Sequence, residues 1–136
     1  MRKLVFIPLL LFLTGCPKPE VTARDAIAGA HGYVVYGQSE WKAECTATPT
    51  QGKCQLVNKL IAGEHTTADL LAVYCSGTPK SGAQPYAQGG ECVEVKSAYN
   101  ALSASVANIQ DLIKQVNMFL PANTKVKPIQ PAVGVR

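Results

Sequence analysis

The chain has 136 residues and a formal net charge of +4, and 16% of its residues are charged. A chain of this length predicts one small domain and excludes a multidomain architecture. The 13 basic residues against 9 acidic ones lack the basic excess of a nucleic-acid-binding surface, so no nucleic-acid partner is expected. A hydrophobic fraction of 47% is high beside so few charges, which indicates an apolar segment in addition to a folded core.

The first 16 residues have the order of a secretory signal. Arg2 and Lys3 make the start positive, residues 4–13 form an apolar run, and a small-residue site ends at Cys16. The apolar run is about half as long as the roughly 20 residues that a membrane-spanning helix needs. A cleaved export signal is therefore favoured over a permanent transmembrane helix.

The four residues Leu13-Thr14-Gly15-Cys16 resemble the lipobox of bacterial lipoproteins, although Thr14 stands where Ala or Ser is commoner. The resemblance implies that Cys16 is acylated and that residues 1–15 are removed, with residues 16–20 as a lipidated tether. It also implies a membrane-anchored protein, and Pro17 in place of Asp favours the outer membrane, with the protein facing the periplasm or the cell surface. A plain cleaved signal that leaves Cys16 spare is the alternative.

The other four cysteines are Cys45, Cys54, Cys75 and Cys92. An even number of cysteines in an exported chain predicts two disulfides. A metal site would need closely spaced ligands, and the sequence has neither a Cys-x-x-Cys motif nor a paired-histidine motif, so no metal is expected.

Residues 21–120 are predicted to form an all-α, antiparallel three-helix bundle stapled by the two disulfides. Apolar residues at helical spacing predict a first helix from Thr22 to about Cys45 and a second that ends near Tyr74. A break near Gly63 would split the second helix and create a fourth, short one. After a long loop, a third helix of about 28 residues is predicted up to Leu120, and residues 121–136 form a Pro-rich tail that is extended or disordered.

This geometry bears on the disulfide pairing. In a straight bundle, Cys45 meets Cys54 at one pole and Cys75 meets Cys92 at the other, because crossed pairs would have to span the ~30 Å length of the second helix. A second helix that folds back at Gly63 would instead allow Cys54 with Cys75 and Cys45 with Cys92.

The sequence offers little for catalysis, and neither an enzyme nor a cofactor is expected. His31 and His65 are the only histidines, and neither lies in a nucleophile or metal motif. Glu40 and Glu44 lie one helical turn apart, which a solvated helix face explains.

Tyr33, Tyr36 and Trp41 cluster in the first helix and are the predicted contact site, because aromatic rings with polar atoms are favoured at binding surfaces. We therefore expect a non-enzymatic lipoprotein of the cell envelope with a structural or protein-interaction role. Its expected partners are the membrane, through lipid on Cys16, and an envelope or surface protein. The alternative is a small-ligand-binding module with a pocket between helices near the same three aromatic residues.

Overall fold

A computed structural model describes residues 18–77 and 92–131, and all regular structure in these residues is helical. Helix α1 spans Pro19–Glu40, α2 spans Lys42–Ala47, α3 spans Gly52–Tyr74, and α4 spans Tyr99–Asn117, with a short 3-10 helix at Lys96–Ala98 before it. The predicted export signal and Cys16 lie outside the described residues, as do residues 78–91 of the predicted loop.

The three long helices form the predicted bundle. Helices α3 and α4 run antiparallel, because Thr67 contacts Ser105 and a β-carbon on Gly63 would touch Ile109. Helix α1 runs antiparallel to α3, with His31 beside Glu64. All three helices share one apolar core. Its most deeply buried large side chains are Tyr74, Leu60, Leu102, Ile109 and Val116.

Both disulfides of the straight bundle are confirmed. Cys45 is bonded to Cys54 with the Cα atoms 5.5 Å apart, and Cys75 is bonded to Cys92 with the Cα atoms 5.2 Å apart. The first bond joins α2 to the first turn of α3, and the second joins the end of α3 to the segment before α4. We call these two ends of the bundle the Cys45–Cys54 pole and the Cys75–Cys92 pole.

The first helix begins and ends earlier than predicted. It starts at Pro19, which the prediction assigned to the tether; proline suits the first helical turn because the N–H that it lacks has no partner there. The helix ends at Glu40, since the backbone of Trp41 leaves the helical conformation (φ −107°, ψ 10°). The chain then resumes as the separate six-residue helix α2.

The fourth helix therefore arises at Trp41, and α3 is continuous through Gly63. A β-carbon at Gly63 would lie 3.4 Å from Cγ1 of Ile109 and 3.7 Å from Cδ1 of Leu112. The glycine therefore allows α4 to approach α3 closely, and packing in the bundle compensates for its low helix propensity.

Helix α4 is shorter than the 28 residues predicted. Its start is delayed because the preceding segment is bonded to the end of α3: Val95 N–H donates to the Tyr74 carbonyl over 2.7 Å, and Gly77 N–H donates to the Val93 carbonyl over 3.0 Å. A single 3-10 turn then leads into the helix.

The described part of the Pro-rich tail is extended and packs on α1. The chain reverses after α4 through Asn123, whose φ is 70°. Ile129 N–H then donates to the Ala28 carbonyl over 3.0 Å, and the Lys127 main chain lies against Gly32. The tail thus runs back along α1 toward the Cys75–Cys92 pole.

Candidate functional site

A groove opens at the Cys45–Cys54 pole between α1, α2 and α3. Its volume is about 480 Å³, and its walls come from all three helices and the turn that links α2 to α3. The lining residues are Gly37, Gln38, Lys42, Cys45, Thr46, Pro49, Cys54, Val57, Asn58 and Ile61. The groove exists because Trp41 redirects the chain and the disulfide then holds α2 beside α3.

Close helix packing forms one side of this groove. A β-carbon at Gly37 would lie 2.5 Å from Cγ2 of Val57, so glycine is required for α1 and α3 to meet here. Val57 is buried, whereas Gln38, Lys42 and Asn58 are exposed around it. The groove therefore combines an apolar contact with one cation and two side-chain amides.

These groups suit binding more than reaction chemistry. A lysine and two amides donate hydrogen bonds to carbonyl or carboxylate oxygens. The ten lining residues include no histidine and no carboxylate, and the lining cysteines are joined to each other. The groove therefore has no paired nucleophile and base of the kind that covalent catalysis uses.

The predicted aromatic site is divided in the structure. Tyr36 and Trp41 meet edge to face, with ring centroids 5.8 Å apart and an interplanar angle of 87°. Tyr33 points elsewhere, and its hydroxyl donates to Oδ1 of Asn117 on α4 over 2.7 Å. None of the three lines the groove. The Trp41 ring lies next to it, since a β-carbon on Gly37 would be 3.3 Å from Cε3 of that ring, whereas the Tyr33 hydroxyl is bonded to α4.

Trp41 is a structural residue at this pole. Its side chain is buried in the core, and Nζ of Lys53 lies 5.3 Å from the centroid of its ring, a cation–π distance. Lys53 also forms an ion pair with Glu44. The ring and this ion pair together hold α2 against the start of α3.

Sequence reasoning did not identify Gln38, Lys42 and Asn58 as groove residues. Each is an ordinary polar residue on an exposed helix face, so composition and spacing give no signal for it. The only usable hint was the pair Cys45 and Cys54, since a disulfide between consecutive elements brings their side chains together.

Apart from the groove, a cluster of polar side chains lies at the Cys75–Cys92 pole. The Glu20 side chain is buried, with only 3% of the residue exposed, and its Oε1 accepts a hydrogen bond from Cys92 N–H over 3.3 Å. The Tyr74 hydroxyl donates to Oε2 of Glu94 over 2.7 Å. These contacts tie the start of α1 and the end of α3 to the segment that precedes α4.

The environment of Tyr74 raises the pKa of its phenol above the ordinary value of 10. Burial is the main cause, because it disfavours the phenolate. The hydrogen bond donated to Glu94 and the negative charges of Glu94 and Glu20 act in the same direction. Tyr74 thus serves as a neutral hydrogen-bond donor in this cluster.

His31 bridges α1 and α3. Its Nδ1 lies 2.8 Å from Oε1 of Glu64, although the two groups lack the alignment of a hydrogen bond. No cluster of three or more histidine, cysteine or acidic residues that could bind a metal occurs in residues 18–77 and 92–131.

Within the same described ranges, no helix combines the length and apolarity needed to cross a membrane. Comparison of the chain with protein-family models, with curated proteins and with solved structures finds no match.

Proposed function

We propose that the protein is an exported, non-enzymatic lipoprotein that is anchored through lipid on Cys16 and binds an envelope or surface protein at the Cys45–Cys54 pole. The disulfides Cys45–Cys54 and Cys75–Cys92 support export, because such bonds persist in oxidising compartments. The lipobox-like residues that end at Cys16 support the anchor.

The short distance along the chain between Cys16 and the bundle is the observation that carries this proposal. Helix α1 begins at Pro19, only three residues after Cys16, and three fully extended steps of the chain cover about 11 Å. Lipid on Cys16 would therefore keep the start of α1 at the membrane surface. The 22 residues of α1 extend about 33 Å along the helix axis, so the groove lies at the opposite end of the bundle from the anchor.

The groove is the surface best suited to a protein partner. It lies at the end of the bundle remote from the anchor, and Lys42, Gln38 and Asn58 surround its apolar walls. A segment of a partner protein presents backbone carbonyls and carboxylates that these donors can bind. The disulfide in the wall keeps the groove preformed, which lowers the entropic cost of binding.

A small-ligand-binding module is the second candidate. The groove volume of about 480 Å³ lies within the range of about 300–1,000 Å³ for ligand pockets. Against it, the predicted aromatic lining is absent, since Tyr33, Tyr36 and Trp41 do not border the groove. Mass spectrometry of the purified protein under non-denaturing conditions would reveal a retained ligand.

The anchor is tested by the intact mass of the protein extracted from membranes. We expect a chain that starts at Cys16 and carries fatty acyl groups, and we expect a Cys16→Ala variant to leave the membrane fraction. An unmodified chain in the soluble fraction would overturn the lipoprotein assignment.

The binding surface is tested by photo-crosslinking in intact cells. A photoreactive residue at position 58 in the groove is compared with one at position 110, an exposed site on α4. We expect one defined protein adduct from position 58 only, and we expect Lys42→Glu to abolish it. Equal adducts from both positions, or a position-58 adduct that survives Lys42→Glu, would exclude the groove as the binding surface.

A further inference from the structure

We propose that the Cys75–Cys92 pole is itself a membrane-contacting surface, where Val73 and Tyr99 insert among lipid headgroups and hold the bundle upright. This inference rests on the lipid anchor proposed above and adds a second contact to it. The occupant of the surface is the lipid bilayer to which Cys16 would be attached.

Val73 and Tyr99 lie at the same level of the bundle. The pairing of Thr67 with Ser105 and of Gly63 with Ile109 sets the antiparallel register of α3 and α4. Continued toward the Cys75–Cys92 pole, this register places position 73 opposite position 99. Two large apolar side chains thus remain in solvent at one end of the molecule, Val73 with 53% exposed and Tyr99 with 46% exposed.

The charges at this pole suit a lipid headgroup layer. Lys96 is exposed. Of the two carboxylates beside it, Glu20 is withdrawn into the protein, and Glu94 is exposed and accepts a hydrogen bond from Tyr74. Tyrosine favours the membrane–water interface because its ring is apolar and its hydroxyl is polar. Lysine side chains in the same layer interact with lipid phosphates.

Because the chain between Cys16 and α1 is short, membrane contact is favoured at the Cys75–Cys92 pole over the exposed apolar residues at the other pole. Met118 and Phe119 are also exposed, at the Cys45–Cys54 pole, with 77% and 48% of each residue accessible. They lie at the far end of α4, about 30 Å along the helix axis from Tyr99. The start of α1, in contrast, is joined to the Cys75–Cys92 pole by the bond between Glu20 and Cys92, so the anchor acts at that end.

Depth-dependent fluorescence quenching tests the inference on the full, lipidated chain. Tyr99→Trp and the matched control Phe119→Trp are reconstituted in phosphatidylethanolamine–phosphatidylglycerol vesicles whose acyl chains carry bromine. Trp41, at the Cys45–Cys54 pole, is an internal reference in both variants. We expect the emission added by Tyr99→Trp to be about twofold lower in brominated vesicles than in vesicles without bromine, and blue-shifted relative to detergent, as for an interfacial aromatic ring. The emission added by Phe119→Trp should be the same in all three.

A measurement on the unsubstituted protein avoids any effect of these variants on folding. We expect the rate of amine acylation at Lys96 to fall in vesicles relative to detergent, while the rate at Lys114 on α4 does not change. Equal quenching of Tyr99→Trp and Phe119→Trp, no quenching of either, or equal labelling of both lysines would overturn membrane contact by this pole.

The intact mass separates the two proposals. If the mass shows acylated Cys16 but the emission of Tyr99→Trp is not quenched and Lys96 is not protected from acylation, the lipoprotein assignment stands. Membrane contact by the Cys75–Cys92 pole is then wrong. If the mass shows an unmodified chain, both are wrong.

Discussion

Gly32 of α1 lies directly against the main chain of Lys127, whose carbonyl oxygen occupies the space that a β-carbon at position 32 would need. Nearby, Ile129 N–H donates to the Ala28 carbonyl. The tail therefore depends on a glycine that the sequence alone marks only as a weak point in a helix. The same tail covers part of α1 between the two poles.

Gly32→Ala is expected to detach the tail. The new methyl group overlaps with backbone, which cannot move aside as a flexible side chain can, so we expect the amide of Ile129 to exchange with solvent about tenfold faster. Hydrogen–deuterium exchange measures this directly.

Gly29→Ala is the matched control. A β-carbon there would lie 3.6 Å from Cδ1 of Ile113, an ordinary contact, so this variant should gain up to about 1 kcal/mol from helix propensity. Unchanged exchange at Ile129 in Gly32→Ala, or equal effects of the two variants, would contradict the docked tail.

Local patterns in the sequence predicted the elements that depend on local forces. The apolar seam of α4 was visible because buried Leu102, Val106, Ile109 and Val116 recur at helical spacing. The start of α4 could not be predicted from local patterns, because it depends on the bond between Val95 and Tyr74, which are 21 positions apart in the chain. The disulfide pairing was predicted correctly because the length of the second helix keeps the cysteines at one end of the bundle far from those at the other.

The candidate site was predicted less well than the fold. Tyr36 and Trp41 were expected near each other, since they are close in the chain, and they do meet. The groove beside them was missed because it requires the chain to leave α1 at Trp41. No residue there is a strong helix breaker, and the break coincides with the burial of Trp41 in the core, with Lys53 over its ring.

Removal of each disulfide should destabilise the bundle in a different place. The two bonds join cysteines that are 9 and 17 positions apart in the chain, and in the chain-entropy model each contributes about 3 kcal/mol. We expect Cys45→Ala/Cys54→Ala to free α2 and shift the emission of Trp41 to the red, because that ring lies at the same pole. Cys75→Ala/Cys92→Ala should lower the unfolding free energy similarly and leave Trp41 emission unchanged.

Urea denaturation and the emission spectrum in the absence of urea measure these two effects separately. A red shift from Cys75→Ala/Cys92→Ala, or none from Cys45→Ala/Cys54→Ala, would show that the poles do not behave as separate structural units.

The raised pKa of Tyr74 predicts a loss of stability at alkaline pH. The unfolded phenol titrates near pH 10, whereas burial and the carboxylates of Glu94 and Glu20 keep the folded phenol protonated to higher pH. The unfolded state therefore releases a proton first, so this contribution to stability is complete below about pH 10 and declines above it.

We expect the urea midpoint of the unsubstituted protein to fall as the pH rises from about 10 to about 11.5. Tyr74→Phe should cost about 1 kcal/mol at neutral pH, from the lost bond to Glu94, and should show a shallower alkaline decline. Tyr99→Phe, at an exposed position, is the control and should retain the full decline. Parallel pH profiles for the two variants would refute the assignment to Tyr74.

The buried hydroxyl of Thr67 should couple α3 to α4 energetically. Its Oγ1 donates to the Gly63 carbonyl over 2.8 Å and lies 2.6 Å from Oγ of Ser105. A hydroxyl carries one proton, so the Ser105 hydroxyl must be the donor in the second bond. Loss of Thr67 leaves the Ser105 hydroxyl without this partner, and loss of Ser105 removes the bond that Thr67 accepts while its bond to Gly63 remains.

A double-mutant cycle measures this coupling. We expect Thr67→Val to lower the free energy of unfolding by about 1–2 kcal/mol and Ser105→Ala by about 1 kcal/mol. The double variant should lose less than the sum, with a coupling of about 0.5–1 kcal/mol. Ser103→Ala, exposed on α4, should have no effect. Additive losses in urea denaturation would mean that the two hydroxyls do not bond across the helix interface, and that apolar packing around Gly63 alone fixes the register of α3 and α4.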